Sequence, residues 1–194
     1  MKKIGIATLL IASTLPLSSH AQLIIGAGIN KSSSADLKLE NEKNGITKTY
    51  DLDTNTASFY IGYKNHKNNR FLISLDNLDA KVSDLGYSSK ATGVRLDAQF
   101  VYGQSQIKPY WGLGFGVYTL KESPLVSDET HSGVSLQVMG GTKIDLTKNL
   151  ELDLNLEIQG MAWQDVEYRS RWITETISMT SSKVSVGAGL AYKF

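Results

Sequence analysis

The histidines, serines and carboxylates are where chemistry would be done. His131-Ser132 follows Asp128-Glu129. A hydroxyl, an imidazole to take its proton and a carboxylate to orient the ring are the parts of a hydrolase or acyltransferase. Chance explains the grouping better, because adjacent strand residues point to opposite faces and serine is common in loops. Glu151, Asp153 and Glu157 are spaced by two and four, so a strand sets all three on one face, where crowded carboxylates can act as acid and base. His66 stands alone, and the chain has no cysteine. Isolated histidines offer no metal-ligand spacing, and Asp51-Leu52-Asp53 lacks the calcium-loop pattern. No catalytic residue, metal or cofactor is therefore expected.

The elements that must position these groups begin after a leader. MKKIGIATLLIASTLPLSSHA carries Lys2 and Lys3, an apolar run from Ile4 to Leu17 and a small-x-small site at Ser19-His20-Ala21. This is the pattern of a secretory signal peptide over residues 1–21, cut after Ala21; Ser13, Thr14 and Pro16 interrupt a run too short to span a bilayer. Residues 22–194 then form one domain of 194 − 21 = 173 residues, with 20 − 2 = 18 basic side chains against 19 acidic. Such a balance holds no nucleic acid by charge.

The domain alternates with a period of two. In LELDLNLEIQG (150–160), Leu150, Leu152, Leu154, Leu156 and Ile158 alternate with Glu151, Asp153, Asn155, Glu157 and Gln159, a period that no helix explains. Similar strands are expected at 22–31, 56–65, 70–79, 91–103, 108–120, 133–145 and from about 183 to 194. In KPYWGLGFGVYTL, Gly112, Gly114 and Gly116 oppose Trp111, Leu113, Phe115 and Val117. Glycines weaken an ordinary strand but suit a narrow interior crowded by side chains such as Tyr110 and Tyr118.

The connections alternate in length. HKNN, QSQI and LTKN are short, whereas 32–55, the stretch around 81–90, 121–132 and roughly 164–182 read as long polar loops. The expected fold is all-β: an eight-stranded antiparallel up-and-down transmembrane β-barrel with short periplasmic turns and four longer extracellular loops. Tyr63, Phe71, Tyr102, Trp111, Tyr192 and Phe194 fall near the short-turn ends, where an aromatic girdle meets the membrane interface. Trp163, Tyr168 and Trp172 are candidates for the outer rim, although strict parity turns Trp163 inward.

The chain ends VSVGAGLAYKF, with Phe194, Tyr192, Leu190, Ala188, Val186 and Val184 on one face. An apolar row running to the last residue is expected to be built into the sheet. With the signal peptide, the eight strands and the KPYWGLGFG segment, this ending resembles the small OmpA/OmpX-type outer-membrane β-barrels of Gram-negative bacteria. The resemblance implies that Leu190, Tyr192 and Phe194 form the signal read by the barrel-assembly machinery. It also implies location in the outer membrane with both termini periplasmic. Longer members carry a peptidoglycan-gripping domain after the barrel; with the sequence stopping at Phe194, that role is not carried over.

Inward parity assigns Lys64, Arg70, Arg95, Lys108, Lys143, Lys183 and Lys193 to the lumen, against Asp76, Asp97, Glu151, Asp153 and Glu157. Eight strands leave room only for side chains, so these charges are expected to pair as a plug. The expected function is a structural, surface-presenting monomer that contacts outer-membrane lipid and lipopolysaccharide and offers its loops to a host or surface ligand, in adhesion or defence. A narrow ion-conducting pore through the same charges, a lipid-modifying enzyme and a lipocalin-like binder with its apolar face inward are the alternatives. Parity does not say which face is inside.

Overall fold

An alternating sheet satisfies its edge backbone groups by closing on itself. The computed structural model describes residues 21–82, 87–122, 131–170 and 173–194. The signal peptide, Asp128, Glu129 and Trp172 lie outside these residues, apart from Ala21. The eight strands are β1 (Gln22–Asn41), β2 (Ile46–Lys64), β3 (Arg70–Val82), β4 (Ser88–Val101), β5 (Ile107–Glu122), β6 (His131–Asp145), β7 (Leu150–Ser170) and β8 (Ile173–Lys193). Each is antiparallel to its chain neighbours, and β8 returns to β1 to close the barrel. The expected all-β, eight-stranded antiparallel barrel is what the structure shows.

Side chains close the short turns. Asn65 Oδ1 accepts from the N–H groups of Lys67 and Asn69 at 2.9 and 3.0 Å, and Thr147 Oγ1 accepts from those of Asn149 and Leu150 at 3.2 and 2.9 Å. At the end of the chain, the Phe194 N–H donates to Leu23 O at 3.0 Å, so the last residue is held by β1.

The other ends differ from the expected loops. Residues 32–41 and 46–55 are not loop but paired extensions of β1 and β2, joined by a tight turn with Gly45 at φ 65°. Residues 164–170 and 173–182 likewise extend β7 and β8. Their polar composition concealed a continuing period of two: Ala35, Leu37 and Leu39 alternate with Asp36, Lys38 and Glu40.

The two halves of the barrel are inside out with respect to each other. Along β3, Phe71, Ile73 and Leu75 face outward and Ser74 and Asp76 inward; above them Asn77, Asp79 and Lys81 face outward and Leu78 and Val82 inward. In β1 the change coincides with a register shift between Ser32 and Ser34. Below the shift Leu23 and Ile29 point out, and above it Ala35 and Leu37 point in. Leu96, Phe115, Leu136, Leu156 and Val186 continue the lower apolar belt around the wall. A contiguous belt of that size marks a lipid-facing surface. The outer section follows the rule for water, apolar within and polar without.

Candidate functional site: a charged lumen beneath an apolar pocket

Strand parity sends the odd residues of β4, β6, β7 and the lower part of β8, and the even residues of β2, β3 and β5, into the lumen. Near the short turns they form an inner cluster. Arg70 donates twice to Glu151, Nη1 to Oε1 at 2.5 Å and Nη2 to Oε2 at 2.7 Å. Lys143 Nζ donates to Asp153 at 2.8 Å and sits 4.2 Å from the centre of the Tyr110 ring. Lys108 and Lys193 share Asp145, and Lys193 also lies 3.7 Å from Glu151. Lys64, opposite Arg70 in register, is half-buried at the rim.

The second cluster is centred on Arg95. Its guanidinium reaches Asp97 at 3.1 Å, Glu157 at 3.2 Å and Asp76 at 3.4 Å, carboxylates from three different strands. Lys183 lies 3.7 Å from Glu157 and donates to Thr56 Oγ1 at 3.0 Å. Uncharged groups fill the remaining positions. Ser58 and Tyr118 donate to the two oxygens of Asp76 at 2.7 and 2.6 Å, Gln137 donates to Asp97 at 2.8 Å, and Asn30 donates to Glu157 at 3.4 Å. Among the described residues six cations and six carboxylates are ion-paired inside the barrel. This balance is what buried charge requires.

Glycines admit the bulk of this layer. A Cβ on Gly116 would stand 2.7 Å from the Tyr118 ring, and one on Gly93 would strike the same ring from the other side.

Above Tyr118 the interior turns apolar. Leu78, Ala91, Tyr118 and Met161 form a buried cluster, with Leu120 and Trp163 packed against it. Trp163 therefore faces the interior, as parity has it, and not the outer rim; the register shift in β7 follows it, between Trp163 and Val166. Its Nε1 donates to Ser181 at 3.3 Å. The side chain of Tyr168 lies outside what is described.

The girdle residues gather at the short-turn end. Tyr63 stacks on Phe71 at 5.3 Å, Phe100 on Trp111 at 4.6 Å, and Tyr192 meets Phe194 edge-on at 4.8 Å. Trp111 Nε1 donates to the Tyr102 hydroxyl at 2.8 Å. Leu190, Tyr192 and Phe194 all face outward and are exposed.

His131 is buried at the outer end of β6, and among the described residues neither of its ring nitrogens has a hydrogen-bond partner. Ser132 faces the opposite side of the strand, so the structure does not bring this hydroxyl to that imidazole. Parity applied to the charged residues leaves several contributors to the lumen unassigned, among them Asp145, Asn30 and Thr54 and the uncharged Thr56, Ser58 and Gln137. Asp145 shares the parity of Lys143 and was legible from it. Asn30 falls within the expected strand 22–31, where an uncharged side chain carries no charge signal, and Thr54 falls in the stretch 32–55 expected as loop.

No protein-family model matches the chain, and no curated protein sequence matches it. Among solved structures it is similar to Neisserial surface protein A, with 18% identity, 90% of this chain and 99% of that chain covered and a TM-score of 0.56. Lower-scoring likenesses include Ail of Yersinia pestis (15% identity, 90% and 99% covered, TM-score 0.43) and the N-terminal barrel domain of Pseudomonas aeruginosa OprF (16%, 87% and 97%, TM-score 0.40). The first likeness shows the fold, an eight-stranded barrel of the outer-membrane type.

Proposed function

We propose that the protein is a non-catalytic, structural barrel of the outer membrane, closed to ions by its own side chains, that stands its polar outer section above the lipid. One observation carries this reading: Arg95 draws Asp76, Asp97 and Glu157 together across the interior at 3.1 to 3.4 Å. An eight-stranded lumen crossed by such a cluster has no continuous water column. The belt of outward leucines, valines and phenylalanines fits lipid, and the outward Leu190, Tyr192 and Phe194 fit recognition by the assembly machinery. Mixed charges on the extensions, among them Lys38, Asp51, Asp53, Asp79 and Lys90, suit contact with lipopolysaccharide sugars or a host surface.

A narrow ion path is the second reading. A void between the two clusters, lined by Asn30, Ser58, Asp97, Asp153 and Asn155, favours it, and Asp153 Oδ1 and Asn155 Oδ1 are buried there with no hydrogen-bond partner among the described residues. Vesicles loaded with potassium salt and carrying the refolded domain distinguish the two. The closed barrel retains its load as well as protein-free vesicles do. Release in proportion to inserted protein would favour the path.

A further inference from the structure

We propose that the apolar space above the charge network is a binding site for an uncharged amphiphile, a single apolar chain or ring ending in a hydroxyl or amide, held polar end down. Its walls come from the outer extensions, chiefly Leu37, Leu52, Leu78, Leu120, Met161 and Trp163. They bound a cavity of about 60 Å³ that is partly open to solvent. Small-molecule sites share this make-up, mostly apolar with a few placed polar groups.

Apolar walls by themselves would be only the core of the outer section. Two polar atoms in the lining point to a ligand. Among the described residues, Thr54 Oγ1 and Gln159 Oε1 have no hydrogen-bond partner, although the two residues are 4% and 1% exposed and both line the space. Gln159 donates its amide hydrogens toward Gln137, Ser135 and Tyr118 at 3.1 to 3.3 Å, which leaves its carbonyl oxygen open to a donor. A buried acceptor left unmet is costly, so a hydroxyl or amide N–H that reaches it gains by filling the vacancy.

The lining selects a neutral end. Among the described residues Lys183 is the one charged residue in the lining, and it is already engaged by Glu157 at 3.7 Å and Thr56 at 3.0 Å. A charged end of either sign would therefore lose its water among apolar walls with no free counter-charge to meet it.

Trp163 in the wall supplies the readout. In a Trp111→Phe, Trp172→Phe background refolded into vesicles, Trp163 emission is titrated with a brominated medium-chain alcohol. The carboxylate and ammonium of the same chain, and the bromoalkane without a polar end, serve as comparisons. The proposal expects saturable quenching by the alcohol, with the two charged probes weaker by roughly tenfold or more. Thr54→Val should weaken the alcohol by about threefold to tenfold while leaving the bromoalkane unchanged. Ala91→Phe, which fills the space, should abolish saturation. Heat-modifiable gel mobility checks that each variant is folded, and Thr54→Val decides the matter if Ala91→Phe is not. Quenching that rises linearly with probe in the bilayer would overturn the proposal, as would a preference for either charged probe or an alcohol affinity that Thr54→Val does not change.

Discussion

Arg70 and Glu151 stand 81 residues apart in sequence and face each other inside the barrel through two parallel hydrogen bonds of 2.5 and 2.7 Å. Neither side chain is solvated to any extent, with 3% and 1% of each exposed. Removing one of them strands the other, whereas replacing both with apolar residues does not. Arg70→Leu alone should cost about 3–5 kcal/mol, and Arg70→Leu with Glu151→Leu should recover most of it. Urea unfolding in lipid vesicles measures both.

Tyr118 lies between Gly93 and Gly116 and donates to Asp76 at 2.6 Å. Gly93→Ala should drive its Cβ into the ring and destabilise by about 1–3 kcal/mol. Tyr118→Leu should relieve that clash, so the double variant loses less than the two single losses added together. The same unfolding assay gives the cycle.

The inversion of the wall makes two outward positions respond oppositely to charge. Leu136 is 69% exposed within the belt, and Leu136→Arg should cost about 2–4 kcal/mol in lipid. Asn77→Arg, outward on β3 just above the belt, should stay within about 0.5 kcal/mol. Equal costs at the two sites would place the membrane boundary elsewhere.

Phe194 is 62% exposed, and its only ring contact among those described is with Tyr192. Phe194→Ala should therefore barely alter unfolding of the refolded barrel. In cells the same change should lower the amount of folded barrel in the outer membrane several-fold, read from heat-modifiable mobility in membrane fractions. Normal cellular assembly would remove Phe194 from the recognition signal.

How much of this was legible depended on what parity can carry. The strict alternation from Leu150 to Ile158 located β7, and inward parity put Arg70, Asp76, Arg95, Asp97, Lys143, Glu151, Asp153 and Glu157 on one side of the wall. Pairing was beyond it. Arg95 and Asp97 share a face at a spacing of two, but the approach of Glu157 from β7 needs the closed ring and its register. The outer section reads as loop because its outward face is charged and serine-rich, while its apolar residues, Leu37, Leu78 and Met161 among them, pack inward. The shift at Ser32 and Ser34 then moved the odd residues of β1 from outside to inside, and a period of two carries no mark of which side is wet. The transmembrane and lipocalin-like readings competed for that reason; each describes the polarity of one half of the barrel.

The central claim is that the network around Arg95 closes the lumen, and single-channel recording from the refolded domain in a planar bilayer tests it most directly. The closed barrel predicts a flat baseline, with protein orientation and folding verified in the same preparation. Steady, discrete openings whose size changes when Asp97 or Glu157 is replaced by its amide would contradict it and put the ion path through those carboxylates.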